Sequence, residues 1–226
     1  MLPGTLAHIR RNESAHEIVV VDAMSTDETV KIAESAKCMV LPGADRNRAK
    51  QMNLGANHAR GEILFFLHAD TLITTNVLQR MAAALADPPV VGGGFRRRYL
   101  NAPTFLRFTC VLADVRSRWL GWYLGDQGIF VRRTVFDQLG GFRDLPLFED
   151  LDFCHRLKRT GKLVCLGPPV WSSARRFSRR GAFVTSLFDL WLTLRYLSGA
   201  DPARLAEFSR TGITRRNVQP PEASHP

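Results

Sequence analysis

Three short apolar runs, at residues 17–21 (EIVVV), 38–41 (CMVL) and 62–67 (EILFFL), alternate with stretches of helical character at 25–36, 46–59 and 75–86. No other feature limits the fold as strongly. Short β-branched and aromatic runs read as buried strands, and a helix between consecutive strands is a right-handed crossover that leaves them parallel. Local punctuation agrees with this reading. Ser25-Thr26-Asp27-Glu28 has the spacing of a capping box for the first helix, Pro42-Gly43 stops the second strand, and Asp87-Pro88-Pro89 ends the third helix. The chain therefore reads as α/β, a mostly parallel sheet flanked by helices. Ligands of such sheets sit beyond the carboxyl ends of the strands, where Asp22 and Asp70 fall.

The second half is less regular. A strand is expected at 90–99, loosened by Gly92-Gly93-Gly94, then a helix at 103–119 and a strand at 127–131 beginning within Gly125-Asp126-Gln127-Gly128. Helices follow at 133–139, 149–160 and 182–197, the last amphipathic. One domain is expected over 1–210, with a polar, proline-bearing and disordered tail at 211–226.

At 226 residues the chain can bury a substantial core. Its net charge of +10 favours phosphates, nucleic acid or an anionic membrane face, or serves only as a solubilising surface. Cys38, Cys110, Cys154 and Cys165 show no paired spacing, which points to reduced thiols in a cytoplasmic protein. Residues 1–11 lack the apolar core of a signal peptide. The most apolar helical stretch, 182–197, is interrupted by Asp189 and Arg195 and is no spanning helix.

Several stretches resemble one known family. Val19-Val20-Val21-Asp22-Ala23-Met24-Ser25-Thr26-Asp27 resembles the "VVDxxSxD" stretch of family 2 glycosyltransferases, and Gln51-Met52-Asn53-Leu54-Gly55 their "xxNxG" helix. Phe66-Leu67-His68-Ala69-Asp70 sits where they carry a DXD motif, with His68 at a position that is Asp in many relatives. Phe148-Glu149-Asp150-Leu151-Asp152, after Gly140-Gly141-Phe142, is similar to their "ED" motif. The "FLHADT" and "GDQGIFVRR" wording is similar to a bacterial subgroup associated with radical-SAM and selenium-domain proteins. The resemblance implies a Rossmann-like GT-A fold and transfer of a sugar, with inversion, from a nucleotide-diphosphate donor, UDP-sugar favoured. The acceptor would be a sugar, a lipid-linked or a small-molecule hydroxyl.

Each motif has a physical task under that reading. Charge on a diphosphate leaving group must be neutralised as the glycosidic bond breaks, and a hard cation, Mn²⁺ or Mg²⁺, does this when held by a carboxylate. Asp70 is the metal candidate by resemblance; by position alone it reads as a helix cap. His68 can ligate a metal or bond a ribose hydroxyl. The resemblance makes Asp22 a partner of the nucleotide base, against a plain turn residue. Arg46 and Arg48, with Lys50, meet the diphosphate or form a solvated helix face. Asp150 is the general base by resemblance; by spacing alone Glu149 and Asp150 are acids favoured by a helix dipole. Glu149, Asp126 and Gln127 fit acceptor binding. Arg175 and Arg176, with Arg179 and Arg180, suit the diphosphate or anionic lipid, and the helix after them also fits a peripheral contact with the inner membrane face.

A basic nucleic-acid or membrane-surface module without catalysis leaves the ordered acidic motifs unexplained, so no nucleic-acid partner is expected. A sugar nucleotidyltransferase needs a glycine-rich triphosphate loop that this sequence lacks. Relatives open with a "VIIPxxNE" strand, whereas Met1–Leu6 reads as the middle of that first unit. About fifteen to twenty preceding residues are therefore expected.

Overall fold

The computed structural model describes residues 1–12, 16–100, 102–178 and 181–214, with backbone only for Arg176, Ser178 and 211–214. Its first half follows α1 (Leu2–Arg10), β1 (Val19–Asp22), α2 (Thr29–Ser35), β2 (Met39–Pro42), α3 (Arg48–His58), β3 (Ile63–Phe66), β4 (Thr71–Leu72) and α4 (Val77–Leu85). The second continues through β5 (Val90–Tyr99), α5 (Thr104–Leu120), a 3₁₀ turn (Gly125–Gln127), β6 (Ile129–Arg132), α6 (Arg133–Gln138) and α7 (Glu149–Leu157). It ends with β7 (Lys162–Ser172), α8 (Arg175–Ser178), α9 (Ala182–Leu197) and α10 (Pro202–Thr214). Helix α10 passes the expected boundary at 210, and residues 215–226 lie outside the described ones.

The class is α/β, but the sheet is mixed instead of mostly parallel. β1 and β2 pair in parallel as one small sheet, and β3-β6-β5-β7-β4 form a second in which β5 and β7 are the only neighbours that pair in parallel. The chain leaves β5, crosses by α5, and re-enters from the end it left, so β6 inserts antiparallel between β3 and β5. A short, fully buried strand carries no directional signature in its sequence, which is why alternation alone suggested parallel pairing. β1 and β3 share no ladder. Their starts are joined instead by Glu17, whose Oε1 accepts the amides of Arg60 at 2.5 Å and Gly61 at 2.8 Å.

Gly92-Gly93-Gly94 does not loosen β5; it makes the strand the tightly packed centre of the sheet. A Cβ on Gly93 would lie 2.0 Å from the Val164 carbonyl oxygen, and one on Gly94 would lie 2.5 Å from the Tyr123 ring. Close backbone approach is the reason for glycine here. β7 is the longest strand that sequence patterning misses. Gly167-Pro168-Pro169 interrupts it, and its register against β5 shifts between Phe95 and Arg97 to accommodate the bulge.

The motif residues Asn53 and Gly55 have structural tasks. Asn53 Nδ2 donates to the Phe142 carbonyl at 2.8 Å and Oδ1 accepts the Phe142 amide at 2.9 Å, sewing α3 to the loop ahead of α7. A Cβ on Gly55 would lie 3.2 Å from Val21, so α3 lies close against β1. Arg133 donates to the carbonyls of Ala56, Ala59 and Gly61, satisfying the open end of α3.

Candidate active site

Four strand ends meet at one edge of the larger sheet. β3 and β7 finish there, β5 delivers Arg97 and Tyr99 there, and antiparallel β6 starts there, as the pairings Phe66–Ile129 and Tyr99–Ser172 fix. The segments that leave or enter these ends are His68–Asp70 and Gly125–Gln127. The first turn of α7 adds Glu149 and Asp150.

Asp150 is buried. Its Oδ2 accepts the Gly125 amide at 2.7 Å and its Oδ1 the Leu151 amide at 2.7 Å, which fixes the plane of the carboxylate. Glu149, also buried, pairs with Arg48 at 2.9 Å. Burial, and then the charge of Asp150, raise the Glu149 carboxyl above its ordinary range, with Arg48 acting against them. Phe148, the residue before this pair, sits at φ 67°, a costly conformation for a bulky side chain, and its ring stacks on Tyr196 at 4.7 Å. Such outliers concentrate at functional sites.

The His68 ring lies against the backbone of Gly125, where a Cβ would come within 2.5 Å of Nε2. Burial and then the Arg48 charge lower its pKa below 6.5, against the pull of Asp126, Asp150 and Asp70, so the imidazole is neutral at pH 7. Asp70 stays partly exposed and has Arg175 at 3.6 Å. Thr5 of α1 holds this loop through the Ala69 carbonyl at 2.9 Å.

Arg97 is the residue that sequence reasoning missed. Buried at the end of β5, it holds Asp126 Oδ2 at 2.7 Å and lies 4.6 Å from the Tyr99 ring centroid. Burial alone would raise the Asp126 carboxyl; the charge and hydrogen bond of Arg97 outweigh it and hold the group below its ordinary 3.8. The signal was available in Arg96-Arg97-Arg98. Three consecutive arginines on a strand send the middle one to the face opposite its neighbours.

The structure thus gathers Arg48, His68, Asp70, Asp126, Glu149 and Asp150, with Arg175 at the margin. Gln127 does not fit the acceptor role expected of it. It is fully enclosed; its oxygen accepts from Arg116 at 2.6 Å and Leu124 at 3.2 Å, while its nitrogen donates to Phe95 at 3.1 Å and Ser117 at 2.8 Å. With all four bonds made inside the protein it is a pin for the 3₁₀ turn.

The expected capping box is also absent. Ser25 donates its amide to Asp22 Oδ2 at 3.0 Å, Asp27 accepts from Thr29, and α2 begins only there. Asp22 therefore makes the turn after β1, and among the described residues neither it nor exposed Arg46 bonds to the acidic group. Lys50 belongs to a surface network with Asp45 and Asp144. The side chain of Arg176, together with Arg179 and Arg180, lies outside the described residues.

Residues 1–140 match Glycosyl transferase family 2, and the chain belongs to that family. It is 28% identical to a PGL/p-HBAD biosynthesis glycosyltransferase of Mycobacterium bovis, over 68% of this chain and 62% of that one. The chain spans 55% and 62% of the lengths of the first mycobacterial relatives it matches. Among solved structures it resembles Staphylococcus aureus TarS (residues 1–349) in complex with UDP, with a TM-score of 0.63 and 17% identity over 76% of this chain and 56% of that one. It also resembles the mannosyltransferase PcManGT of Pyrobaculum calidifontis in complex with GDP-Man and Mn²⁺, with a TM-score of 0.56 and 22% identity over 75% of this chain and 51% of that one. The fold is that of the GT-A glycosyltransferases.

Proposed function

We propose that the chain transfers a sugar from a nucleotide-diphosphate donor to an acceptor hydroxyl by direct displacement, with inversion at the anomeric carbon. The observation that carries this reading is the meeting of half-exposed Asp70 with the buried Glu149–Asp150 pair at one sheet edge. Asp150 takes the acceptor proton as the new oxygen–carbon bond forms, and the bond to the diphosphate breaks on the opposite face. His68, packed against Gly125, lines the site beside these acids. Asp126, fixed by Arg97, and Glu149, fixed by Arg48, orient the acceptor. Arg175 answers the diphosphate.

A divalent cation fits this site in one specific sense. Among the described residues no three His, Cys, Asp or Glu side chains are placed to hold one metal ion together, so the protein offers no closed cage. Mg²⁺ and Mn²⁺ suit an open arrangement of one carboxylate, donor phosphates and water, and Asp70 is the carboxylate placed for it. When bound, the cation neutralises charge on the departing diphosphate. The mannosyltransferase in complex with GDP-Man and Mn²⁺ and TarS in complex with UDP support this reading, and the resemblance of residues 19–27 to the family motif makes Asp22 the partner of a uracil base.

A panel of UDP- and GDP-sugars with Mn²⁺ or Mg²⁺, read by thermal shift and by release of nucleoside diphosphate, tests it. UDP-sugars are expected to raise the melting temperature only when metal is present. Asp70→Ala is expected to lose that metal-dependent rise while melting unliganded at the wild-type temperature. An unchanged Mn²⁺-dependent shift in Asp70→Ala refutes the metal assignment.

A further inference from the structure

The outward positions of α5 and α9 are almost entirely apolar. On α5 they are Phe108, Val111, Leu112, Val115 and Trp119, the last 80% exposed. On α9 they are Phe183, Leu187, Leu190, Trp191 and Leu194. These recur at the i, i+3, i+4, i+7 spacing of one helical stripe. The two stripes are continuous, because Phe105 of α5 meets Phe183 of α9 edge to face at 5.3 Å. An exposed apolar surface spanning two helices is more than a soluble monomer ordinarily shows.

Charge indicates what covers it. The charged side chains exposed on the outward positions of these helices are Arg107, Arg118 and Arg195, all positive. The acids of the two helices, Asp114 and Asp189, are turned partly inward, and Asp114 is paired with Arg98 at 2.9 Å. A second copy of this chain would set arginines against arginines. A leaflet of anionic phospholipid offers phosphates to the arginines and acyl chains to the stripe, which is the composition of a helix lying in a membrane interface. No described helix is long and apolar enough to cross the membrane, so contact is in its plane.

We infer that α5 and α9 together form a docking surface for an anionic lipid bilayer. The inward side of α9 packs against the segment that carries the acidic pair. Leu192 and Tyr196 of α9 pack with Phe148 and Leu151, which flank Glu149–Asp150, and α5 runs through Gly121 and Trp122 to the Gly125–Gln127 turn. Docking therefore places the acids about one helix diameter, ~10 Å, from the lipid surface. The inference concerns binding and stands apart from the transfer chemistry.

Sedimentation with vesicles tests it, using phosphatidylcholine alone and phosphatidylcholine mixed with phosphatidylglycerol. The full chain is expected to bind the mixed vesicles at least about tenfold more strongly than the neutral ones, and less so at high salt. Arg107→Glu/Arg118→Glu is expected to lose that preference, and Trp119→Ser/Leu190→Ser to lose about tenfold in binding to the mixed vesicles. Four exposed positions are changed, so circular dichroism melting is expected to stay near wild type for both variants. A wild-type chain that stays in the supernatant with both vesicle types overturns the proposal. So does one that forms a dimer abolished by Trp119→Ser/Leu190→Ser without ever sedimenting with lipid.

Discussion

Asp150→Asn is expected to lower turnover by roughly a hundred- to ten-thousand-fold while leaving UDP affinity at the wild-type value, since a positioned general base contributes about that much. The substitution keeps the shape of the side chain and removes its capacity to take a proton. Both carboxylate oxygens accept amide hydrogen bonds, from Gly125 and Leu151. Asn can satisfy only one of them, because its NH₂ group must face the other. The strand ends and His68–Asp70 are untouched, so donor binding should survive. Initial-rate kinetics at saturating donor, with calorimetry for UDP, separate the two effects. Glu149→Gln is the control: burial raises that carboxyl, so it competes with Asp150 for the role of base. Near-wild-type turnover in Asp150→Asn, with turnover lost in Glu149→Gln, would transfer the role to Glu149.

The second large effect is on stability. Arg97→Leu is expected to destabilise the protein by about 3–5 kcal/mol at pH 7, because removing one partner of a buried pair leaves the other charge uncompensated. Arg97 and Asp126 lie 2.7 Å apart, and the Arg97 side chain is almost wholly enclosed. The pH dependence follows from the Asp126 shift. In the wild type its carboxyl is held below 3.8, so its contribution is present above that pH and is lost as pH falls through the lowered folded value. In Arg97→Leu the two largest influences opposing burial are gone, only the charges of His68 and Arg116 still lower the carboxyl, and the folded pKa moves upward. The wild type's advantage therefore shrinks in acid, where Asp126 takes a proton. Urea melts at pH 7 and near pH 4 should show the gap between the two proteins narrowing. A gap that is constant with pH would mean that lost packing, and not lost charge pairing, causes the destabilisation.

Both residues bear on what the amino-acid sequence made legible. Asp150 could be singled out only through the family motif that it resembles, since helix patterning alone reads it as an acid favoured by the helix dipole. Arg97 was legible only as the middle of three consecutive arginines on a strand; its pairing with Asp126 depends on β5 lying beside β6 and bringing the 3₁₀ turn within reach. Gln127 was assigned to an acceptor for the same reason: a polar residue between glycines looks exposed until the strands that enclose it are known. Between β1 and α7, every helix and strand except the two-residue β4 fell within a few residues of its expected place, since each carries its own periodicity. β7 did not, because Gly167-Pro168-Pro169 conceals a strand that survives only by bulging, and α10 was not recognised at all. The capping box failed through competition. Ser25 had the right spacing, but the Asp22 carboxylate took its amide first.

The division between the small β1–β2 sheet and the larger one has a consequence for motion. Neither β1 nor β2 contributes a fully buried side chain, whereas β5 and β6 are buried along most of their lengths. With no ladder to β3, the small sheet is attached to the rest through α3, through α2 by way of α1 and β4, and through the Glu17 carboxylate. Such a unit can open on its own at a lower free energy than global unfolding. Amide hydrogens of residues 19–22 and 39–42 should therefore exchange well before those of β5, and a nucleotide seated beyond β1 should slow them selectively. In that case the donor's first effect on the enzyme would be to make two cooperative units behave as one.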